Sequence, residues 1–247
     1  KPDHRSTSGG DADRAGERPV IVTTTGMVTD LVRRIAGERA EVIGLMGEGV
    51  DPHLYKPTRR DIERLLDADI VFYNGLLLEG KMTDALVRVA SAGRPVYAVT
   101  ELIDESMLLE PESFEGHADP HVWMDPVAWS SAIDAVERAL TEEDPTGAPT
   151  YAANAAACRE DLAALHAAIE QAIATIPEQQ RVLVTAHDAF HYFGRRYGLE
   201  VVGILGISTD SEAGVRDIER IVDLVVERGV PAVFIESTVS PRIIEAL

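Results

Sequence analysis

The sequence is poor in the features that mark several protein classes. Cys158 is its single cysteine, so no disulfide can form within the chain and cysteine-based zinc or redox motifs are excluded. Basic residues are scarce too, with 23 Lys and Arg against 42 Asp and Glu, and the net charge of −19 disfavours nucleic acid and anionic lipid as partners. No apolar run approaches the length of about 18 residues that a membrane-spanning helix needs.

Motifs of common enzyme classes are missing as well. The chain has no G-x-S-x-G turn, no P-loop Lys-Ser/Thr and no Gly-rich dinucleotide turn. Residues 1–18 are polar, contain Gly and Ser, and have too little apolar content to fold, which predicts a flexible N-terminal tether or an ordinary frayed terminus. His4 lies in this stretch and is not a candidate ligand.

What the sequence does contain is an alternation of short β-branched runs with amphipathic stretches, which is typical of βαβ units and a parallel sheet. The first half offers four candidate strands, and the second half offers three and a helical stub. These candidate strands are Val20–Thr24, Glu41–Leu45, Asp69–Tyr73, Val96–Val99, Val182–Thr185, Val201–Leu205 and Ala232–Ile235, and the stub is Pro241–Leu247. The pattern predicts an α/β fold.

One long stretch between the two halves favours a single helix. From Tyr151 to Ile176 there is no Gly or Pro, apolar residues recur at steps of three and four, and Pro177 follows. We therefore expect an N-terminal α/β lobe at 19–148, a rigid linking helix at 149–177 and a similar C-terminal α/β lobe at 178–247. The second lobe has fewer strands and is expected to be incomplete.

Three histidines occupy one kind of position in this plan. His53 follows the second strand, His121 lies in the loop after the fourth, and His187 ends the first strand of the second half. The carboxyl ends of parallel strands are where open α/β sheets bind ligands, and imidazole suits zinc, manganese and similar cations. We therefore predict that these three side chains form one metal site.

The other histidines are weaker candidates. His117 lies in a probable loop near His121, and His166 lies within the long helix without neighbouring ligand residues. His191 stands four residues after His187, as in zinc-protease helices, but Asp188 replaces the glutamate that those enzymes use as a base. We assign all three to packing or surface roles.

Several segments, in their order along the chain, resemble the zinc- and manganese-binding receptors of bacterial ABC importers, the cluster that includes the treponemal-type metal receptor. They are Gly49-Val50-Asp51-Pro52-His53, Asn74-Gly75-Leu76-Leu77-Leu78-Glu79, Asp119-Pro120-His121-Val122-Trp123-Met124-Asp125-Pro126, Thr185-Ala186-His187-Asp188-Ala189-Phe190 and Gly206-Ile207-Ser208-Thr209. The resemblance implies two α/β lobes bridged by one rigid helix, with a metal held between them by His53, His121 and His187.

The resemblance also bears on the identity of the metal. In relatives that favour manganese the position of His187 is often Glu, which tilts the expectation towards zinc with manganese next. Zinc specialists often carry a long His-rich loop, whereas Glu101–Gly116 is short and has no histidine. The family's fourth ligand is an Asp, which we expect beyond residue 247, and Glu236 is a poor substitute because the family does not use that position.

The expected function is therefore an extracytoplasmic receptor, not an enzyme, that captures a free divalent metal ion and delivers it to an ABC-transporter membrane permease. The resemblance places it in the periplasm or on the outer face of the cell envelope, with or without a lipid anchor, as a monomer. The alternative is a zinc-dependent hydrolase that uses the same three histidines and a water molecule. An adhesin ranks last, because the sequence offers no adhesive module.

Overall fold

In the computed structural model, which describes residues 18–114, 116–210 and 214–239, strands and helices alternate along much of the chain. The strands are β1 (Val20–Thr23), β2 (Glu41–Gly44), β3 (Ile70–Tyr73), β4 (Val96–Ala98), β5 (Val182–His187) and β6 (Glu200–Leu205). The helices are α1 (Gly26–Ala36), α2 (Arg59–Asp67), α3 (Thr83–Ser91), α4 (Pro126–Glu143), α5 (Ala148–Ala174), α6 (His191–Tyr197) and α7 (Val215–Arg228). The predicted α/β fold is confirmed.

The first sheet is parallel and has the strand order β2-β1-β3-β4. Successive residues of the central strands β1 and β3 pack into different hydrophobic clusters, one on each face of the sheet. Ile21 and Phe72 pack into the cluster around α1 and α4, while Val22 and Val71 pack into the one that contains Leu65 of α2. Because both faces are covered, its strands are continuous apolar runs, as expected for a parallel sheet.

The second sheet pairs β5 and β6 in parallel, with Val184, Ile204 and Ile221 at the centre of a small core. The prediction of a third strand at 232–235 is wrong for the described residues. Only an isolated bridge joins Phe234 to β5, through its N–H donating to the carbonyl oxygen of Val184 over 2.9 Å. Phe234 is 53% exposed, so this segment lacks the apolar cover that would favour a full strand. The predicted stub Pro241–Leu247 lies outside the described residues.

The long helix α5 spans 27 residues, in agreement with the expected linking helix. It begins at Ala148, earlier than predicted, because a proline is tolerated in the first turn, where its missing N–H has no intrahelical partner. Its buried residues, Tyr151, Ala155 and Cys158, pack in the core shared with α1 and α4. Beyond them the helix is largely exposed as it runs towards the second sheet.

Helix α4 is not among the elements that the sequence analysis predicts. Asp125 caps its N-terminus by accepting the N–H of Val127 over 3.0 Å, and Pro126 occupies the first turn. Arg196 of α6 binds the same carboxylate through its guanidinium, 2.8 Å from Oδ2. This contact ties α6, beside the second sheet, to α4, beside the first.

Within the described ranges, no helix combines the length and the apolar composition needed to cross a bilayer. Residues 1–17 of the predicted N-terminal tether, which include His4, lie outside these ranges. The division into lobes at 19–148 and 178–247 stays a prediction.

Candidate metal centre

Three imidazole rings meet in the space between the two sheets. One ring nitrogen from each of His53, His121 and His187 lies within 4.8 Å of the other two. The Nε2 atoms of His53 and His121 are 3.2 Å apart. All three side chains are buried, with exposed fractions of 8%, 1% and 6%. The structure therefore brings together the three residues that the sequence proposes as ligands; that they bind a metal stays a prediction.

The fold explains how residues so distant in sequence come together. His187 is the last residue of β5, at the carboxyl end of the second sheet. His53 follows β2 in the first sheet, and His121 lies directly before the 3-10 turn Val122–Met124 that leads into α4. Strand ends and the loops that follow them thus supply candidate ligands from both sheets, as is usual for open α/β folds.

Each of the three histidines is held by its own carboxylate. Oδ1 of Asp51 accepts the backbone N–H of His53 over 2.9 Å, and Oδ1 of Asp119 accepts that of His121 over 2.9 Å. The third contact comes from a distant part of the chain, where Oε1 of Glu236 accepts the N–H of His187 over 3.0 Å. Three anionic groups therefore surround the imidazole cluster.

Two of these carboxylates also reach the imidazole ring. Oδ1 of Asp119 lies 2.7 Å from Nδ1 of His121, and Oε2 of Glu236 lies 2.6 Å from Nδ1 of His187. The Asp119 contact is a hydrogen bond that orients the His121 ring and leaves its Nε2 free to face a metal, whereas Glu236 approaches Nδ1 of His187 without hydrogen-bond geometry. Asp119 thus contacts both the main chain and the ring of His121, whereas Asp51 contacts only the main chain of His53.

Burial controls the protonation of the cluster. It lowers the pKa of His53 to about 4, assisted by the neighbouring His121, and it also lowers the pKa of His121. For Asp119 burial works to raise the pKa, but the hydrogen bond from His121 and the nearby His191 outweigh it, and the pKa lies below its usual value. Near neutral pH these two imidazoles are therefore uncharged, the form that binds metals, and the carboxylate is ionised.

The histidines line one end of a cavity of about 570 Å³. Glu236, Trp123, Met124 and residues of α1 also line it. The ring of Trp123 packs edge-on against His121, with centroids 5.2 Å apart, and covers one side of the cluster. This arrangement can hold a small cation out of bulk solvent.

The remaining histidines lie outside this group. His117 is exposed and packs on Phe114, and His166 lies 3.1 Å from the hydroxyl of Tyr197. His191 is half-buried between two carboxylates, with its Nε2 3.2 Å from Asp188 and its Nδ1 3.8 Å from Asp119. None of the three joins the imidazole cluster, in line with their assignment to packing or surface roles.

Glu236 contacts His187 in a way that the sequence does not predict. In the sequence it follows the candidate strand Ala232–Ile235, a position that predicts at most a substitute metal ligand. The structure places it against His187 instead, where its Oε1 accepts the backbone N–H and its Oε2 lies 2.6 Å from Nδ1. The sequence offered one clue to this contact, because Glu236 is an acidic residue at the same sheet edge as His187.

Comparisons with known proteins agree with this architecture. A family model described as the periplasmic component A of a zinc-uptake complex matches residues 21–247. The manganese-binding lipoprotein MntA of Bacillus subtilis (strain 168) is 42% identical over 233 residues, covering 94% of this chain and 76% of that protein. The zinc-binding protein TroA of Treponema pallidum (strain Nichols) is 42% identical over 239 residues, covering 96% of this chain and 77% of that protein.

A solved structure extends the agreement to three dimensions. The periplasmic zinc-binding protein TroA from Treponema pallidum superposes with a TM-score of 0.89 at 42% sequence identity. The match covers 93% of this chain and 82% of that chain. The two proteins therefore share the same α/β fold, with two lobes and a long helix.

Proposed function

The chain belongs to the family of periplasmic zinc-uptake component A proteins, and from that premise we propose that His53, His121 and His187 bind one zinc ion as cargo. Members of this family are metal-binding receptors of ABC importers, and the chain is a receptor of this kind that acts outside the cytoplasm. The observation that carries the ligand assignment is the convergence of three buried ring nitrogens within 4.8 Å.

The choice of zinc over manganese rests on the chemistry of the ligands. The two relatives named above are equally similar to this chain, and one is named for manganese and the other for zinc. Imidazole nitrogen suits zinc, whereas manganese favours sites richer in carboxylate oxygen. A site whose described ligand set is three imidazoles therefore favours zinc, with manganese as the second cargo.

The burial of the cluster supports capture rather than catalysis. A hydrolytic zinc keeps an open coordination position that a substrate must reach. Here the three histidines are at most 8% exposed, and Trp123 covers one side of the group. We propose that the protein is not an enzyme and that it hands the ion to a membrane permease.

We further propose how the chain is organised around its cargo. The two sheets belong to two lobes, at 19–148 and 178–247, with the helix at 149–177 joining them and the metal between them. We propose that the protein is a monomer, which size-exclusion chromatography with light scattering tests directly. A dimer mass that persists on dilution contradicts this.

Elemental analysis of protein purified without added metal, followed by titration of the stripped protein with zinc and with manganese, tests the cargo. We expect one equivalent of zinc per chain and weaker binding of manganese. Binding of neither ion contradicts the proposal, and tighter binding of manganese reverses the metal preference. Turnover of ester or peptide substrates by the zinc-loaded protein would instead support a hydrolase.

A further inference from the structure

A hydrogen bond crosses from the second sheet to the loop of His53. The hydroxyl of Thr209, which follows β6, donates to Oδ2 of Asp51 over 2.5 Å, although the two residues are 158 positions apart. Asp51 follows β2 in the first sheet. The contact therefore joins the two sides of the space in which the imidazoles meet.

Asp51 uses its other oxygen for the ligand loop itself. While Oδ2 accepts the hydroxyl of Thr209, Oδ1 accepts the backbone N–H of His53 over 2.9 Å. A single carboxylate thus links Thr209 to His53. Both Thr209 and Asp51 are partly shielded from solvent, which favours a strong hydrogen bond because the acceptor is charged.

A neighbouring ion pair crosses at the same place. Nζ of Lys81, at the start of the segment leading to α3, lies 3.1 Å from Oδ1 of Asp210. Their side chains are 31% and 63% exposed, and ion pairs so open to solvent contribute little. The hydroxyl of Thr209 is therefore the stronger of the two links between the loop after β6 and the first sheet.

We propose that Thr209 is a positioning residue that holds the His53 loop against the second sheet and so slows release of the bound metal. This inference rests on the proposed function, because it concerns the cargo held by the three histidines. Thr209 acts through Asp51, whose carboxylate also accepts the backbone N–H of His53. A metal bound by residues from both sheets can leave only when the sheets or their loops separate, and that movement breaks this hydrogen bond.

The test is the rate of zinc dissociation, measured by stopped flow with an excess of a chromophoric chelator. Thr209→Val keeps the shape of the side chain and removes the donor, so we expect release about tenfold faster, the change expected for losing one hydrogen bond to a charged group. Thr209→Ser restores the hydroxyl and should release zinc within about twofold of the wild-type rate, given the same bond.

Thr146→Val is the matched control. Thr146 also donates to an aspartate, Oδ1 of Asp144 over 2.6 Å, but both lie in the connection between α4 and α5, which contributes no residue to the imidazole cluster. We expect this variant to release zinc at the wild-type rate. Melting temperatures of the metal-free proteins report general damage to the fold separately from the release rate.

Two results would overturn the inference: a Thr209→Val variant that releases zinc at the wild-type rate, or a Thr209→Ser variant that releases it as fast as Thr209→Val. Either leaves the proposed function intact, because the wild type still binds zinc through its histidines. A wild-type protein that binds neither zinc nor manganese overturns the proposed function and this inference with it.

Discussion

Glu236 holds His187 from two directions at once. Its Oε1 accepts the backbone N–H of His187 over 3.0 Å, and its Oε2 lies 2.6 Å from Nδ1 of the same residue. The two residues are 49 positions apart, so this contact ties the segment after α7 to the end of β5. A carboxylate beside the ring also favours binding of a cation by this imidazole.

Replacing Glu236 by Gln should therefore weaken zinc binding without abolishing it. The amide keeps the size of the side chain but loses the negative charge, and loss of a carboxylate behind a metal-binding histidine costs roughly 10- to 100-fold in affinity. Competition titration against a chelator of known affinity measures this. Glu200→Gln is the control, because Glu200 pairs with Arg228 on the surface, 3.2 Å away. Equal affinities for the Glu236→Gln variant and the wild type contradict a role for this residue at His187.

The three proposed ligands should respond more strongly than Glu236. Replacing His53, His121 or His187 by Ala removes a bond to the metal itself, so we expect a loss larger than the roughly 10- to 100-fold caused by changes behind a ligand. His117→Ala, at an exposed position outside the cluster, should bind zinc like the wild type. Isothermal titration of the four variants makes the comparison. Full affinity in any of the three cluster variants removes that histidine from the ligand set.

Much of the fold was predictable because its physical basis is local. The strands of the first sheet are β-branched runs buried on both faces, and the long helix is a stretch without Gly that ends before Pro177. Helix α4 was missed although its Asp125-Pro126 cap is a recognisable start. The strand at 232–235 was predicted on composition alone, and composition does not report whether neighbouring elements cover a segment.

The site was predictable only in part, because some of its contacts depend on how distant segments pack together. Matching strand-end positions indicated which histidines share an edge, because alternation along the chain determines where parallel strands end. The contacts of Glu236 with His187 and of Thr209 with Asp51 depend on how the second sheet and its loops pack, and they join residues 49 and 158 positions apart. No periodicity in the sequence carries that information.

Gly203 should be intolerant of a side chain because of what lies against it. A Cβ atom at this position in β6 would be 2.6 Å from the backbone nitrogen of Asp188 and 2.7 Å from its Oδ1. Gly203→Ala should therefore push Asp188 and the adjacent His187, at a cost of about 1–3 kcal/mol in the free energy of unfolding. Urea denaturation measures it. Gly80→Ala is the control, because a Cβ there meets nothing within 4 Å. Unchanged stability of Gly203→Ala would mean that the turn after β5 moves freely.

The lowered pKa of His53 predicts how the metal-free protein responds to acid. Burial, with the nearby His121, lowers this pKa to about 4 in the folded state, whereas an unfolded histidine titrates near 6.5. Between these values the unfolded chain binds a proton that the folded protein does not. Stability must therefore fall as the pH is lowered from about 6.5 to about 4, and this contribution levels off below that.

At pH 5 the loss attributable to His53 is about 2 kcal/mol relative to pH 7. Because other groups also titrate in this range, the measurement is a difference between proteins. Urea denaturation of the wild type and of His53→Asn, both in the presence of EDTA, should show a smaller acid-induced loss in the variant. His117→Asn should lose as much stability as the wild type, since His117 is exposed. If His53→Asn follows the wild type instead, His53 titrates like a solvated histidine, and burial does not keep it ready for a metal at low pH.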